Sequence, residues 1–547
     1  MPISALSKPK NLGAKEATIS VKTLTPPVQA FLANLSQKQS SVSTLEGPYI
    51  HVSSVISGAA ALYEKLRYSL DYREEHLLRR HAIERIMRRQ LEDRGDWHEF
   101  ARPFLIELVQ AQYLRNDSIP EAIVPKVQTI FDRYAVLFNL MEQDKSNEKK
   151  TAKAWLLGLL SAELDDELAP SPEHQALVNL MVSYVIKDDP LMDWSLGSEE
   201  KERQVFIACY RALFAFDPQT LHFFLLLKQM PDWRSRRAED MSSLWPSLSR
   251  QYFNTEQALR HPAGLKLYRA LKSRVIVFHA LKDIAMKYPG GARELLLNEP
   301  RLRSELEEIC QKYYRGARRR LYRSAVRATV YIFLTKIILA LIAEAPAEQF
   351  IYGAVLATPI VINTVFPPSL MFLLTATTRF PGRTNTREVV RVMIELLYGG
   401  ERRVFSKVKN PVGSSVFLVS VFSLFYLLTF TITFGGIILI LHRLHFTFIG
   451  TGFFLLFLTV VSFFAIRIRQ PVRDLFVSSQ RENILLVLIN FFSLPILRVG
   501  QFVSLTSAKF NVFLYLFDYL LEAPFKSFLI VFEDVLGFFR EQREDIV

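Results

Sequence analysis

The chain has 547 residues, half of them apolar, and a formal net charge of +13. That length allows two or three domains. Two cysteines, Cys209 and Cys310, exclude a disulfide framework; their neighbours IACYRA and EEICQKY are helical in pattern, so both read as buried free thiols. A positive balance points to nucleic acid or to anionic lipid. Most of it sits beside apolar runs, which favours anionic phospholipid headgroups over nucleic acid.

Residues 1–46 are rich in Ser, Thr, Lys and Pro, with Glu16 and Glu46 their only acids. No apolar leader segment occurs there, and the composition predicts a disordered cytosolic tail. An organelle address is the alternative, although these residues contain no Arg.

From His51 the pattern turns helical. Leu62, Leu66, Leu70, Leu77, Leu78, Ile83, Ile86 and Leu91 recur near a 3.6-residue period. Nine Lys or Arg residues face seven acids between Glu64 and Arg94, as on a solvated, salt-bridged helix face. Helix-start signals follow at Asp96 with Glu99, Ser118 with Glu121, Ser171 before Pro172 and Asp217 before Pro218. Between them the spacing predicts helices over 100–114, 122–141, 154–168, 175–186, 201–216 and 220–227, then 265–287 and 301–323. Hairpin turns of the Asn-Gly or Asp-Gly kind are absent. Residues 47–324 therefore read as an all-α cytosolic domain, with a joint between its two parts near 231–246. No fixed-period repeat occurs.

Several motif-like features favour bland readings. The RGD at Arg94–Asp96 falls where Gly95 ends one helix and Asp96 caps the next. His76, His81 and His98 lie among acids, but the spacing forms neither HExxH nor paired ExxH, so a polar helix surface fits better than a metal site. Glu163, Asp165, Asp166 and Glu167 lack the glycine turn of a calcium loop and read as a solvated helix end. No nucleotide-binding, kinase or serine-hydrolase signature appears, and no cofactor, metal or catalytic residue is nominated.

The membrane half opens with KYYRGARRRLYRSAVR, in which Arg315, Arg318, Arg319, Arg320, Arg323 and Arg327 form a basic collar with no acid among them. Lys and Arg resist translocation, so the collar marks the positively charged side of a bilayer. The first span is expected over 325–343, with Lys336 near its middle and Glu344, Glu348 and Asn363 as the nearest polar groups. An ionisable group at that depth costs several kcal/mol unless it is paired or hydrated. Lys336, Asn363 and Glu344 are the candidate intramembrane polar site; a structural and a transport role are both open. The second span, 350–378, carries Pro359, Pro367 and Pro368 and is expected to be kinked or broken. EAPAEQ reads as an acidic link between the two.

The basic loop 379–414 includes Arg402 and Arg403, and 387–397 should form an amphipathic helix on the membrane surface. A second hairpin covers 415–467, giving about four spans with both termini cytosolic. ILLVLINFFSLPIL is short for a span, and 468–547 reads as interfacial or re-entrant helices.

The stretch YEKLRYSLDYREEHLLRRHAIERIMRRQLEDR, with ARPFLIELVQAQYL and IPEAIVPKVQTIFDRY, resembles the opening of an uncharacterised helical multi-pass membrane family of bacterial candidate phyla. The likeness covers about residues 50–140. It implies a bacterial cytoplasmic (inner) membrane and brings no activity or site residues. PPSLMFLLTATTRFPG and the basic approach to it are more faintly similar to mitochondrial cation-exchanger and ribosome-anchoring proteins of the LETM type. That family places its large soluble domain after the membrane, whereas here it precedes it. The expected function is a membrane-anchored binding or scaffolding protein whose cytosolic domain recruits a protein partner. The alternative is a transporter or channel using the polar first hairpin, with a membrane-embedded enzyme ranked last and room left for a homo-oligomer.

Overall fold

The computed structural model describes residues 23–40, 48–52, 77–94, 97, 99–143, 149–187, 197–353, 356–399, 405, 416–477 and 484–509. His76, His98, Gly95, Asp96, Arg402, Arg403 and everything beyond 509 lie outside that set. Helices dominate, and among the described residues the only β pairing is an isolated bridge between Tyr49 and Pro120.

The helices before the membrane are α1 (Pro26–Ser40), α2 (Leu78–Arg94), α3 (Ala101–Gln110), α4 (Val124–Gln143), α5 (Lys149–Leu168), α6 (Pro172–Lys187), α7 (Ser198–Phe214), α8 (Pro218–Gln229), α9 (Met241–Arg260), α10 (Pro262–Lys272), α11 (Val275–Lys287) and α12 (Ala292–Leu297). The predicted helix 265–287 is two, because the chain turns at Ser273 and Arg274. Asp217 caps α8 as its sequence suggests, its Oδ1 accepting the N–H of Thr220 at 3.0 Å.

Two apolar cores result. The first packs Phe104, Phe131, Leu160 and Trp233 from α2–α5 and the segment after α8. The 231–246 region, expected as a joint, thus sends Trp233 and Met241 into this core. The second gathers α6, α7, α10 and α11 with the start of the next long helix. It also claims α1 through Leu24, Val28, Phe31 and Leu35, all buried. For 23–40 that corrects the reading as a disordered tail, since Pro26 and Pro27 start a helix whose apolar residues recur at helical spacing; 1–22 and 41–46 lie outside the described residues.

Helix α13 (Glu299–Leu339) runs unbroken from this core, through the collar, into the first span. A π-helical turn, Ala340–Glu344, leads to α14 (Ala345–Tyr352), which Gly353 ends in the left-handed conformation. Then follow α15 (Ala357–Ala376), α16 (Arg383–Tyr398), α17 (Val416–Arg443), α18 (Phe448–Arg473) and α19 (Ile484–Lys509). Four segments, 299–352, 357–376, 419–443 and 448–473, are long and apolar enough to cross a bilayer.

Three membrane-half expectations change. EAPAEQ is helix, not a link. The second span is continuous over α15: Pro359 lies in its first turn, where no donor is lost, and Pro367 and Pro368 are accommodated inside it. The chain breaks upstream instead, after Gly353. The amphipathic helix is longer than expected, and its apolar face is buried in protein rather than in headgroups. Val389, Val390, Met393, Leu396 and Leu397 of α16 are all part of the second core.

Asn385 fastens this join. Its Nδ2 donates to the Tyr314 hydroxyl at 2.9 Å and to the Leu475 carbonyl at 2.8 Å, while its Oδ1 accepts the N–H of Val477 at 2.8 Å. Lys272 pairs with Asp474 at 3.1 Å across the same boundary. The helical domain and the collar-side ends of the spans are consequently one packed body. Helix α19 packs against both α17 and α18, extending well past the 14-residue stretch read from the sequence.

Candidate functional site

A polar cluster lies where α13, α14, α15 and the start of α18 meet, reaching from mid-span toward the end opposite the collar. Lys336, Glu344, Glu348 and Asn363 are each fully inaccessible. Lys336 Nζ donates to Glu344 Oε2 at 2.9 Å and rests over the rings of Phe453 and Phe457 at 5.2 and 4.8 Å. Asn363 Nδ2 donates to Glu344 Oε1 and, at 3.3 Å, to the carbonyl oxygen of Gly450. Thr447 Oγ1 donates to Glu348 Oε1 at 2.6 Å and accepts the N–H of Gly450 at 3.0 Å, capping α18.

The π turn explains how residues eight apart can pair. In a regular α-helix, position i+8 is rotated by about 80° from i, whereas i+7 nearly faces it. One extra residue in the π turn restores that alignment for Lys336 and Glu344, and Glu348 follows four residues later on the same face. Pro346 supplies the cause. It has no N–H for the carbonyl of Ile342, and its ring crowds that carbonyl in α geometry.

Two oxygens in the cluster remain without a hydrogen-bond partner: Glu348 Oε2 and Asn363 Oδ1. Such atoms are costly to bury. Gly450 is the point of convergence. A Cβ there would lie 3.3 Å from Glu348 Oε1 and 3.6 Å from Glu344 Oε1.

No family model, curated protein or solved structure matches this chain. The functional reading therefore rests on the cluster's own chemistry.

The three nominated residues, Lys336, Asn363 and Glu344, are brought together directly. Glu348, named only as a neighbour, is their equal. Sequence reasoning misses Thr447, Gly450, Phe453 and Phe457, although a Thr just before an apolar run is a helix-start signal. The nominated arginines of the collar, Arg315, Arg318, Arg319, Arg320, Arg323 and Arg327, are all exposed along α13. Arg318 stacks on Phe380 at 5.3 Å.

The acid run and His81 of the soluble half sit in ion pairs, while the RGD tripeptide, His76 and His98 fall on or beside residues outside the described set. Glu163 is buried, bonded to Arg133, to the Tyr134 hydroxyl at 2.9 Å and to Trp233 Nε1 at 2.9 Å. Asp165 meets Arg79 at 2.5 Å, Asp166 meets Arg234, and Glu167 meets Lys126 at 2.5 Å. The acid run is thus a cross-helix brace rather than a solvated helix end. His81 has Glu84 and Asp217 at 3.9 and 3.8 Å. Among the described residues no three His, Cys, Asp or Glu side chains gather as a metal site.

Proposed function

We propose that this membrane protein moves a charged species, using the polar cluster of its first hairpin as the transit or coupling site. The observation that carries the reading is the full burial of Lys336, Glu344, Glu348 and Asn363 between membrane helices. Ionisable groups at that depth are expensive, and they recur where substrates, ions or protons are handled. A π turn and a Gly-ended helix beside the cluster add to this, since interrupted helices line ion sites in transporters.

A second reading, the scaffold, is favoured by the two-core helical domain, which is far larger than the cluster requires. In it the domain recruits a protein partner to the membrane. In either case the exposed collar contacts anionic phospholipids, both termini face the cytosol, and the membrane is the bacterial inner one implied by the family resemblance.

One experiment separates the readings. In proteoliposomes on a solid-supported membrane, jumps of Na⁺, K⁺ or H⁺ concentration should give a transient current with the wild type and a much smaller one with Asn363→Ala. A folded wild type that is silent to every jump, yet retains a stoichiometric protein in mild detergent, would replace transport with scaffolding.

A further inference from the structure

The cluster has a charge that its own residues do not balance. Two carboxylates, Glu344 and Glu348, share it with one ammonium, Lys336, and all three are inaccessible. Lys336 is already committed to Glu344 and to two aromatic faces. Among the described residues Glu348 has no cationic partner within ion-pair range, and its one hydrogen bond there is from the neutral hydroxyl of Thr447. An unneutralised carboxylate with no access to solvent is strongly disfavoured, so one more positive charge belongs beside it.

The donor set says what kind. Glu348 Oε2 and Asn363 Oδ1 are buried oxygens with nothing bound to them. They belong to the two side chains that converge on Gly450, one through Thr447 and one through the Gly450 carbonyl. Gly450 has no Cβ to fill the space between the carboxylates. Carboxylate, amide and hydroxyl oxygens are the ligands of hard cations. The deficit is one charge, and a divalent ion would leave an excess of one in the same dry site. Dry oxygen-lined sites of this composition, at interrupted helices, suit an alkali cation.

We propose that this cluster binds one monovalent metal cation of the sodium class, held by oxygens of Glu348 and Asn363 beside Gly450 and Thr447. The cation's purpose rests on the transport reading; its binding does not, and can be measured alone.

The test uses the full chain in detergent micelles, with thermal unfolding followed in NaCl and in choline chloride of equal ionic strength. A ligand that binds only the folded form raises the melting temperature in proportion to the logarithm of its concentration above Kd. The expected result is a rise of several degrees in NaCl over choline chloride for the wild type, lost in Glu348→Gln and in Asn363→Ala. Two variants are used because Glu348→Gln keeps the side-chain shape, whereas Asn363→Ala removes a ligand without touching the charge. Equal melting in the two salts, or a sodium response that persists in both variants, overturns the proposal. So does a melting temperature that depends on pH through Glu348 but is indifferent to sodium, which would put a proton in the cation's place. A sodium response in a protein that passes no current in proteoliposomes keeps the site and removes only the transport reading.

Discussion

The main-chain N–H of Thr25 donates to the carbonyl oxygen of Leu397 at 2.8 Å, joining the first described turn of the chain to the helix between the second and third spans. The Tyr184 hydroxyl donates to the neighbouring carbonyl of Leu396. Helix α1 lies on α6, with Leu24, Val28, Phe31 and Leu35 in the second core, and Thr25 just before it clasps the end of α16, its Oγ1 also donating to the Leu396 carbonyl at 3.0 Å.

Undocking α1 from the second core should carry Thr25 away from α16 and loosen that end before it unfolds anything else. Phe31→Ala is expected to cost about 3–5 kcal/mol of docking energy, the range for deleting a buried Phe. Hydrogen exchange read by mass spectrometry should show 383–398 exchanging faster while α4 and α5 are unchanged. Protection in 383–398 equal to wild type would mean that α1 does not hold it.

Breaking the buried ion pair should be worse than removing it. Lys336→Leu alone strands Glu344 in an apolar site and is expected to cost about 3–5 kcal/mol. Lys336→Leu combined with Glu344→Gln should recover part of that loss, giving a favourable coupling in a double-mutant cycle on thermal unfolding in detergent. Strictly additive effects would show that the 2.9 Å contact carries no energy.

Acid should weaken the helical domain through two histidines. Burial holds His222 below the ordinary value of 6.5 despite the pull of Glu256, and burial again, helped by Lys282, does the same for His279. The unfolded chain then binds more protons than the folded one between the depressed values and 6.5, so this stability is complete above about pH 6.5 and is lost as pH falls below it. The melting temperature should drop between pH 7.5 and 5.5, by about 2–4 °C for each kcal/mol lost. A His222→Gln, His279→Asn double variant should flatten that slope; an unchanged slope would assign it to other groups.

Gly500 lets α19 approach α18 backbone to backbone. A Cβ at 500 would fall 2.1 Å from the carbonyl oxygen of Thr459, which is main chain and has no rotamer to swing aside. Gly500→Ala should therefore shift the whole helix and cost at least about 1–3 kcal/mol, the usual range for overpacking. Melting in detergent would report it, and a variant as stable as wild type would show that α19 docks more loosely than this.

Much of the architecture is legible in the residues. The collar abutting an apolar run places the first span, Asp217 with Pro218 marks the start of α8, and the few polar groups near Lys336 include its partners. What escapes sequence reading is decided by packing. The face formed by Val389, Met393 and Leu397 suits a membrane surface and a protein core equally, because both are apolar; only the presence of α11 and α13 decides between them. Likewise a strict 3.6-residue period puts Glu344 on a different face from Lys336, and the π turn before Pro346 is what corrects it. Leu24, Val28, Phe31 and Leu35 carry helical spacing, but the surrounding Ser, Thr and Lys give that segment the composition of a disordered tail.

Helix α13 is 41 residues long and has no break between the second core and Lys336. From Cys310, gripped in that core, to Lys336 is about 39 Å of rigid rod at 1.5 Å per residue. A lever of that length turns a tilt of about 5° at the core into a sideways displacement of about 3 Å at the lysine, comparable to the reach of its bond to Glu344. Any tilt of the helical domain that the packing of Ala317 and Leu321 against the other spans allowed would therefore reach Lys336.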